Sequence, residues 1–326
     1  MSASAASAAE PRRRIRPRLV YGVAGALLLI AAILAFADVG EKAGRLGNWQ
    51  AFALGVTQGL TELLPISSSG HLILVPWIAN WHYLETHPDF NKTFDVALHL
   101  GTLVAVVAYF WADVVRYVRA WFRSVGARSI RTLDERIAWW IFAATIPAAI
   151  AGALGESVIE DHLGQPYQIA VFLAVFGVLL WLADRLPQEK QIGQLGFWPA
   201  FGIGVSQILA LMPGVSRSGI TITAGRFLKL DRDSAARFSF YLLLPTVLGA
   251  VLLKGLQDVV FGELPNGWKG PFVVGTLAAL GSGLLAIEWL LGYVRRHTYG
   301  VFVVYRLVLA AVVLLVIVSG VRDATF

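Results

Sequence analysis

Two stretches decide the reading of this chain: GVTQGLTELLPISSSGH at Gly55–His71 and GVSQILALMPGVSRSGIT at Gly204–Thr221. Gly55, Val56, Gln58 and Leu60 recur as Gly204, Val205, Gln207 and Leu209. Pro65 recurs as Pro213, and Ser67, Ser69 and Gly70 recur as Ser216, Ser218 and Gly219. The spacing is 149 residues at both ends, with one residue displaced around the prolines. Each stretch interrupts an apolar run, Trp49–Trp81 in one case and Phe197–Leu230 in the other. The breaks, Pro65–His71 and Pro213–Gly219, are rich in Ser, Gly and Pro, and the pieces on either side are too short to cross a bilayer alone. Each run therefore reads as a re-entrant hairpin, with irregular backbone buried in protein or lining a cavity.

Working outward, seven uninterrupted apolar runs have spanning length: Leu19–Ala37, Phe94–Ala112, Ile137–Leu154, Pro166–Ala183, Phe238–Lys254, Pro271–Leu291 and Val301–Ser319. Three of them follow each broken copy. Of the 326 residues, 57% are hydrophobic and 15% charged, with mean hydropathy +0.66, a balance that excludes a disordered chain, a coiled coil and almost any soluble enzyme. There is no Cys, so thiolate nucleophiles and Cys-ligated zinc are excluded.

The net charge of +6 is explained by where the basic residues fall. Orientation follows Lys and Arg. With the N-terminal Arg12–Arg18 cluster and the Asp113–Arg136 loop inside, and each hairpin returning to its own side, 19 basic residues lie inside and six outside (Lys42, Arg45, Lys92, Lys254, Lys269, Arg322). Arg217 and Arg306 fall at membrane depth, and the outer loop Glu156–Asp161 carries acids and no base. The basic balance is a topology signal, and a nucleic-acid partner is not expected. By this count the first hairpin enters from outside and the second from inside, an inverted-topology repeat. The expected fold is an all-α integral membrane protein. Each half has one re-entrant helical hairpin plus three transmembrane helices, and one extra transmembrane helix stands at the N-terminus. Residues 1–46 form that basic segment and anchor, read as uncleaved because its apolar stretch is longer than a signal peptide's. The repeat halves are about 47–190 and 191–326.

The two copies differ where it matters chemically. Ser68 in the first stands where the second has Arg217, and Glu62 and His71 have apolar counterparts. Gln58 and Glu62 share a helix face. An ionisable group at membrane depth is costly and by default functional, although Glu62 could pair only for packing. Ser67, Ser68 and Ser69 lie between a helix expected to stop near Pro65 and one expected to start near Gly70. Hydroxyls and free amides there suit an anion, although serines also cap helices. His71 has the chemistry to protonate a leaving group or bind a metal, or to be held structurally. His99, four residues after Asp95 in a span, is a supporting candidate, whereas His82, His87, His162 and His297 read as loop or interface residues. Arg217, flanked by Ser216 and Ser218 and followed by Gly219, presents a fork of donors that suits phosphate, or an ion pair with Glu62. A hydroxyl, a carboxylate, a His and an Arg at membrane depth are equipment for phosphoryl chemistry on a lipid.

Both stretches, with Lys92–Asp95, His99–Thr102, Phe238–Pro245 and Tyr305-Arg306, resemble the undecaprenyl-pyrophosphate phosphatase family of bacteria from about Gly47 to the end. The resemblance implies removal of the terminal phosphate of undecaprenyl pyrophosphate at the outer face of the cytoplasmic membrane, recycling the lipid carrier for peptidoglycan synthesis. It also implies a need for a divalent cation, Mg²⁺ or Ca²⁺. It places the family's acidic motif on Gln58 and Glu62, its serine turn on Ser67–Ser69, its His on His71 and its Arg turn on Pro213–Gly219 with Arg217. From these, catalysis is expected of Glu62, Ser68, His71 and Arg217, with Ser67 or a water activated by Glu62 as the alternative nucleophile and Glu62 also a candidate metal ligand. Ser67, Ser69, Gly70, Ser216, Ser218 and Gly219 are expected to bind the pyrophosphate, with Gln58, Gln207 and His99 in support. Many members have Glu where this chain has Gln58, so a second carboxylate is dispensable or metal binding is shared differently. The first span lies outside the resemblance, and a homodimer is left open.

Three rivals remain to be weighed. Inverted repeats with broken helices also build transporters and lipid flippases. The other large class of membrane lipid phosphatases requires a nucleophilic His about six residues after its Ser-Arg pair, where this chain has Ile222 and Thr223. A purely structural membrane protein has no use for Glu62, His71 and Arg217 together.

Overall fold

The protein is described by a computed structural model over residues 17–37, 46–81, 87–255 and 268–325. The described chain is helical: α1 (Pro17–Ala37), α2 (Asn48–Leu63), α3 (Ser68–Ala79), α4 (Pro88–Tyr109), α5 (Trp111–Ala127), α6 (Leu133–His162), α7 (Pro166–Asp184), α8 (Phe197–Ser206), α9 (Arg217–Phe227), α10 (Arg232–Lys254), α11 (Lys269–Val294) and α12 (Gly300–Val318). Seven of these, α1, α4, α6, α7, α10, α11 and α12, are long and apolar enough to cross a membrane. Each overlaps one of the seven runs read from the sequence. Arg12–Arg16, Lys42, Arg45 and His82 lie outside the described residues, as do the side chains of Glu156, Glu160 and Asp161.

Three boundaries correct the sequence reading. The second span runs from Pro88 to Tyr109 rather than from Phe94 to Ala112, and a break at Phe110 starts α5 at Trp111. The first helix of the first broken run ends at Leu63, and Leu64 is extended (ψ 146°). Pro65 is the cause, since a residue before proline is pushed out of the helical region. The following helix starts at Ser68 rather than near Gly70.

Polar contacts sort the helix ends into two groups. Asp113 at the start of α5 binds Arg116 (2.8 Å) and accepts from Tyr241 of α10 (2.9 Å). Asp233 of α10 pairs with Arg237 (2.6 Å) and with Arg295 after α11 (2.8 Å). Asp184 at the end of α7 pairs with Arg232 (2.6 Å) and accepts from the amide of Tyr299 before α12 (2.8 Å). Arg226 at the end of α9 lies 3.5 Å from the same Asp184. At the other end, rings do the work: Phe272 of α11 contacts Phe90 of α4 (5.5 Å) and Trp268 (5.3 Å).

Contacts join the flanks of each broken run. Trp49 and Trp81, at the open ends of the α2–α3 pair, meet edge to face at 5.0 Å beside the aromatic end. Around α8–α9, Lys190 and Leu230 form an isolated bridge beside the arginine-rich end.

Glycine lets these pairs sit deep in the bundle. A Cβ at Gly59 of α2 would lie 2.0 Å from Ser282 Oγ of α11, and one at Gly55 would lie 2.3 Å from Gly275 O. Small residues allow the close backbone approach that packing inside a membrane requires. Gly204, the counterpart of Gly55, meets α6 instead, where a Cβ would lie 2.2 Å from Ala144 O. Thus α2 packs on α11 and α8 packs on α6.

Candidate active site

The two Ser-Gly turns interlock. Ser67 and Ser216 both hold positive φ (77° and 76°), rare for a residue with a side chain. Each hydroxyl caps the helix behind it, Ser67 Oγ accepting from Gly70 N (3.3 Å) and Ser216 Oγ from Gly219 N (3.1 Å). Ser67 Oγ also accepts from Gly214 N at 3.1 Å, and Ser218 Oγ donates to Leu64 O at 2.9 Å, so the turns are stitched in both directions. Beneath them the guanidinium of Arg306, fully buried, donates to Pro65 O (3.2 Å), Gly214 O (3.0 Å), Val215 O (3.0 Å) and Leu173 O (3.0 Å). Gly219 is required here, because a Cβ would lie 2.9 Å from Arg306 Nη1.

Above the stitch lies one carboxylate with a full set of partners. Glu62, the penultimate residue of α2, accepts from Arg217 through Nη2 (3.1 Å) and Nε (3.4 Å), both on Oε1. Its other oxygen, Oε2, accepts the hydroxyl of Ser68 at 2.5 Å and Gln58 Nε2 at 3.3 Å. Arg217 is in turn held by Nη1 donating to Ser239 O at 2.8 Å. Charge-assisted bonds of this kind are short and strong, and they fix the Ser68 oxygen against a base.

The histidines can be oriented from their partners. His71 Nδ1 lies 2.6 Å from Ser67 O and His99 Nδ1 lies 2.7 Å from Asp95 O. A carbonyl only accepts, so both Nδ1 atoms carry hydrogen. That leaves His71 Nε2 facing Tyr305 OH at 2.7 Å and His99 Nε2 facing Glu62 Oε2 at 3.6 Å.

A protein-family model described as "Bacitracin resistance protein BacA" matches residues 51–312. The chain belongs to this family. It is 45% identical over 268 residues to the undecaprenyl-diphosphatase of Moorella thermoacetica, covering 82% of this chain and 97% of that protein. The undecaprenyl-diphosphatases of Thermomicrobium roseum (44%, 82% of this chain, 98% of that one) and Geobacter metallireducens (46%, 82% and 97%) are similarly related. The family match takes in both serine turns and the whole carboxylate cluster, and α1 falls outside it.

Within the family match, the residues singled out from sequence divide into groups. Gln58, Glu62, Ser68, His99 and Arg217 converge on one carboxylate. Ser67, Gly70, Ser216, Ser218 and Gly219 form the stitched turns, with the Ser67 and Ser216 hydroxyls turned to backbone amides rather than outward. Ser69 sits half-buried in the first turn of α3. Gln207 is directed away to α6, donating to Ala144 O at 3.1 Å. Three contributors had no role in the sequence reading: Tyr305, Arg306 and Ser239. The signal for Arg306 was an arginine deep in an apolar span. Ser239 acts through its carbonyl, which no side-chain motif encodes.

Proposed function

We propose that this chain is a membrane-embedded phosphatase that hydrolyses undecaprenyl pyrophosphate to undecaprenyl phosphate and inorganic phosphate. The observation that carries it is Ser68 Oγ at 2.5 Å from a carboxylate oxygen whose partner oxygen is held by Arg217. An activated hydroxyl beside a guanidinium is the minimum for moving a phosphoryl group. Ser68 Oγ attacks the terminal phosphorus and passes its proton to Glu62 Oε2. The bond from that phosphorus to the bridging oxygen breaks, and the isoprenyl monophosphate leaves. Glu62 passes that proton to the departing monophosphate. Water then attacks the phosphoserine, Glu62 takes its proton and returns it to Ser68 Oγ as the phosphorus–Oγ bond breaks, and inorganic phosphate departs. Arg217 holds the phosphate oxygens with its planar fork. Ser69 and the amides at the start of α3 and α9 complete the anion site.

In this reading Ser67 and Ser216 lose the substrate-binding part that the sequence suggested and become the stitch that presents Ser68 and Arg217 to one another. His71, both of whose ring nitrogens are engaged, orients the turn through Ser67 O. Its other partner, Tyr305, donates its hydroxyl to Nε2.

The polar set fits a divalent cation shared with substrate. Gln58 Oε1 is a buried oxygen with no hydrogen-bond partner, beside Glu62. Among the described residues no three His, Asp or Glu side chains group to hold a metal ion alone. Mg²⁺ commonly takes only one or two protein oxygens plus substrate phosphates. Glu62 and Gln58 would hold it, and it would neutralise charge on the pyrophosphate.

We further propose an inverted repeat of two re-entrant hairpins, supported by their closed open ends at opposite ends of the bundle. The chain is placed in the cytoplasmic membrane with the arginine-rich end inside and the site open to the outer face, on the 19-to-6 charge asymmetry. The test is phosphate release from a long-chain isoprenyl pyrophosphate by purified protein, with and without EDTA. Release that EDTA abolishes and Mg²⁺ or Ca²⁺ restores is expected. Movement of intact lipid without phosphate release would instead establish a transporter.

A further inference from the structure

Helix α5 carries three distinct stripes. Tyr117, Ala120 and Ser124 are buried against the bundle. Trp111, Val118, Phe122 and Val125 fall on a second stripe and are 61%, 49%, 64% and 44% exposed. Beside it Arg119 and Arg123 form a third, which Arg128, Arg131 and Arg136 extend past the helix end, all five exposed. Helix α5 is not among the spanning helices, and it begins at the break after α4.

The acids of this segment are turned inward. Asp113 binds Arg116 and the Tyr241 hydroxyl, and Asp134 lies 3.7 Å from Arg116. Glu135 is buried, accepting from the amides of Arg131 (2.7 Å) and Thr132 (2.9 Å). Arg123 lies 3.7 Å from Glu135 yet stays 65% exposed. The outward face therefore presents apolar rings next to a row of positive charge. A helix with that division lies in the interface plane, rings in the acyl boundary and cations among the headgroups.

We propose that α5 and the Arg128–Arg136 segment form a binding surface for anionic phospholipid headgroups in the leaflet at the arginine-rich end. Zwitterionic headgroups offer no net charge for this row, whereas each arginine near an anionic surface favours binding about fivefold. The proposal rests on the chain being embedded in a membrane and is independent of its phosphatase chemistry.

The full chain has no Cys, so Phe122→Cys accepts a single fluorophore. The labelled protein is placed in nanodiscs holding nitroxide-headgroup phosphatidylglycerol in one set and nitroxide-headgroup phosphatidylcholine in another. Quenching several-fold stronger by the anionic lipid is expected, falling as salt is raised. Adding Arg119→Gln, Arg123→Gln and Arg128→Gln is expected to remove the preference while quenching by either lipid persists. Equal quenching by both lipids in the parent would overturn the anionic preference. Quenching by aqueous iodide in place of either lipid would show that α5 stands off the bilayer and would overturn the proposal. Intact phosphatase activity in the same nanodiscs reports that the chain is folded.

Discussion

In the proposed mechanism Glu62 has two jobs that pull against each other: it neutralises Arg217 and it accepts the Ser68 proton. The structure divides these between its oxygens, Oε1 to the guanidinium and Oε2 to the hydroxyl. Glu62→Gln should lower phosphate release by about two orders of magnitude or more, the scale of lost acid–base and electrostatic catalysis. It also leaves a buried guanidinium unpaired, so its melting temperature should fall as well. Gln58→Ala should cost less, since an amide is no base. Ser68→Ala is the cleaner test, because the Glu62–Arg217 pair survives it. Activity should drop by a similar factor with the melting temperature nearly unchanged. Ser67→Ala should behave in the opposite way, losing about 1 kcal/mol or more as a helix cap is removed, while the folded fraction keeps its turnover. Robust turnover by Ser68→Ala would sink the covalent route and favour a water activated by Glu62. Arg217→Lys keeps the charge but lacks the fork that reaches Oε1 and Ser239 O together, and should not support turnover.

Among the elements, α2 is the one whose placement matters most, because it delivers Glu62. It runs beside α11 with Gly55 and Gly59 at the contact; a side chain at either position meets α11 backbone, and one at Gly59 also meets Ser282. Gly59→Ala should therefore push α2 outward near Glu62. A several-fold loss of activity together with a lower melting temperature is expected, measured against Gly22→Ala, where a Cβ meets nothing within 4 Å. Similar behaviour of the two variants would show that the contact has slack. Arg306 acts on the same scale from below. Its five bonds to carbonyls tie α7 and both turns to α12.

At the scale of the whole molecule, orientation and the extra helix are the open quantities. Single Cys residues introduced at Arg119 and at Arg296 should be shielded from an impermeant thiol reagent in intact cells and labelled after permeabilisation. Labelling of position 119 in intact cells would reverse the orientation. Helix α1 lies outside the family match but is seated on α11, where a Cβ at Gly281 would be 2.9 Å from Leu28 Cγ and 3.1 Å from Ala24 O. Removing residues 1–46 should leave the site residues in place and phosphate release largely intact, while stability in detergent falls as the α11 face is uncovered.

Much of this architecture was legible from the chain alone. Seven spans follow from the length of apolar runs, because a bilayer imposes a length and a polarity on each helix independently of its neighbours. The broken runs were legible because Pro65 and Pro213 with their Ser-Gly turns repeat at one spacing. The polar set was legible because charge at membrane depth is too costly to be incidental. Tertiary structure decided which hydroxyl is bonded to backbone amides and which to the carboxylate. Ser67 and Ser68 are adjacent and chemically identical; the Gly70 cap and the arrival of Gly214 N, from a turn 147 residues away, occupy one, while the other lies against Glu62. It also decided that His99 faces Glu62, that Gln207 does not, and that Arg306 spends its charge on backbone carbonyls. Those assignments depend on contacts between segments distant in sequence, and hydrogen-bond direction at a contact is set by the two backbones that meet there.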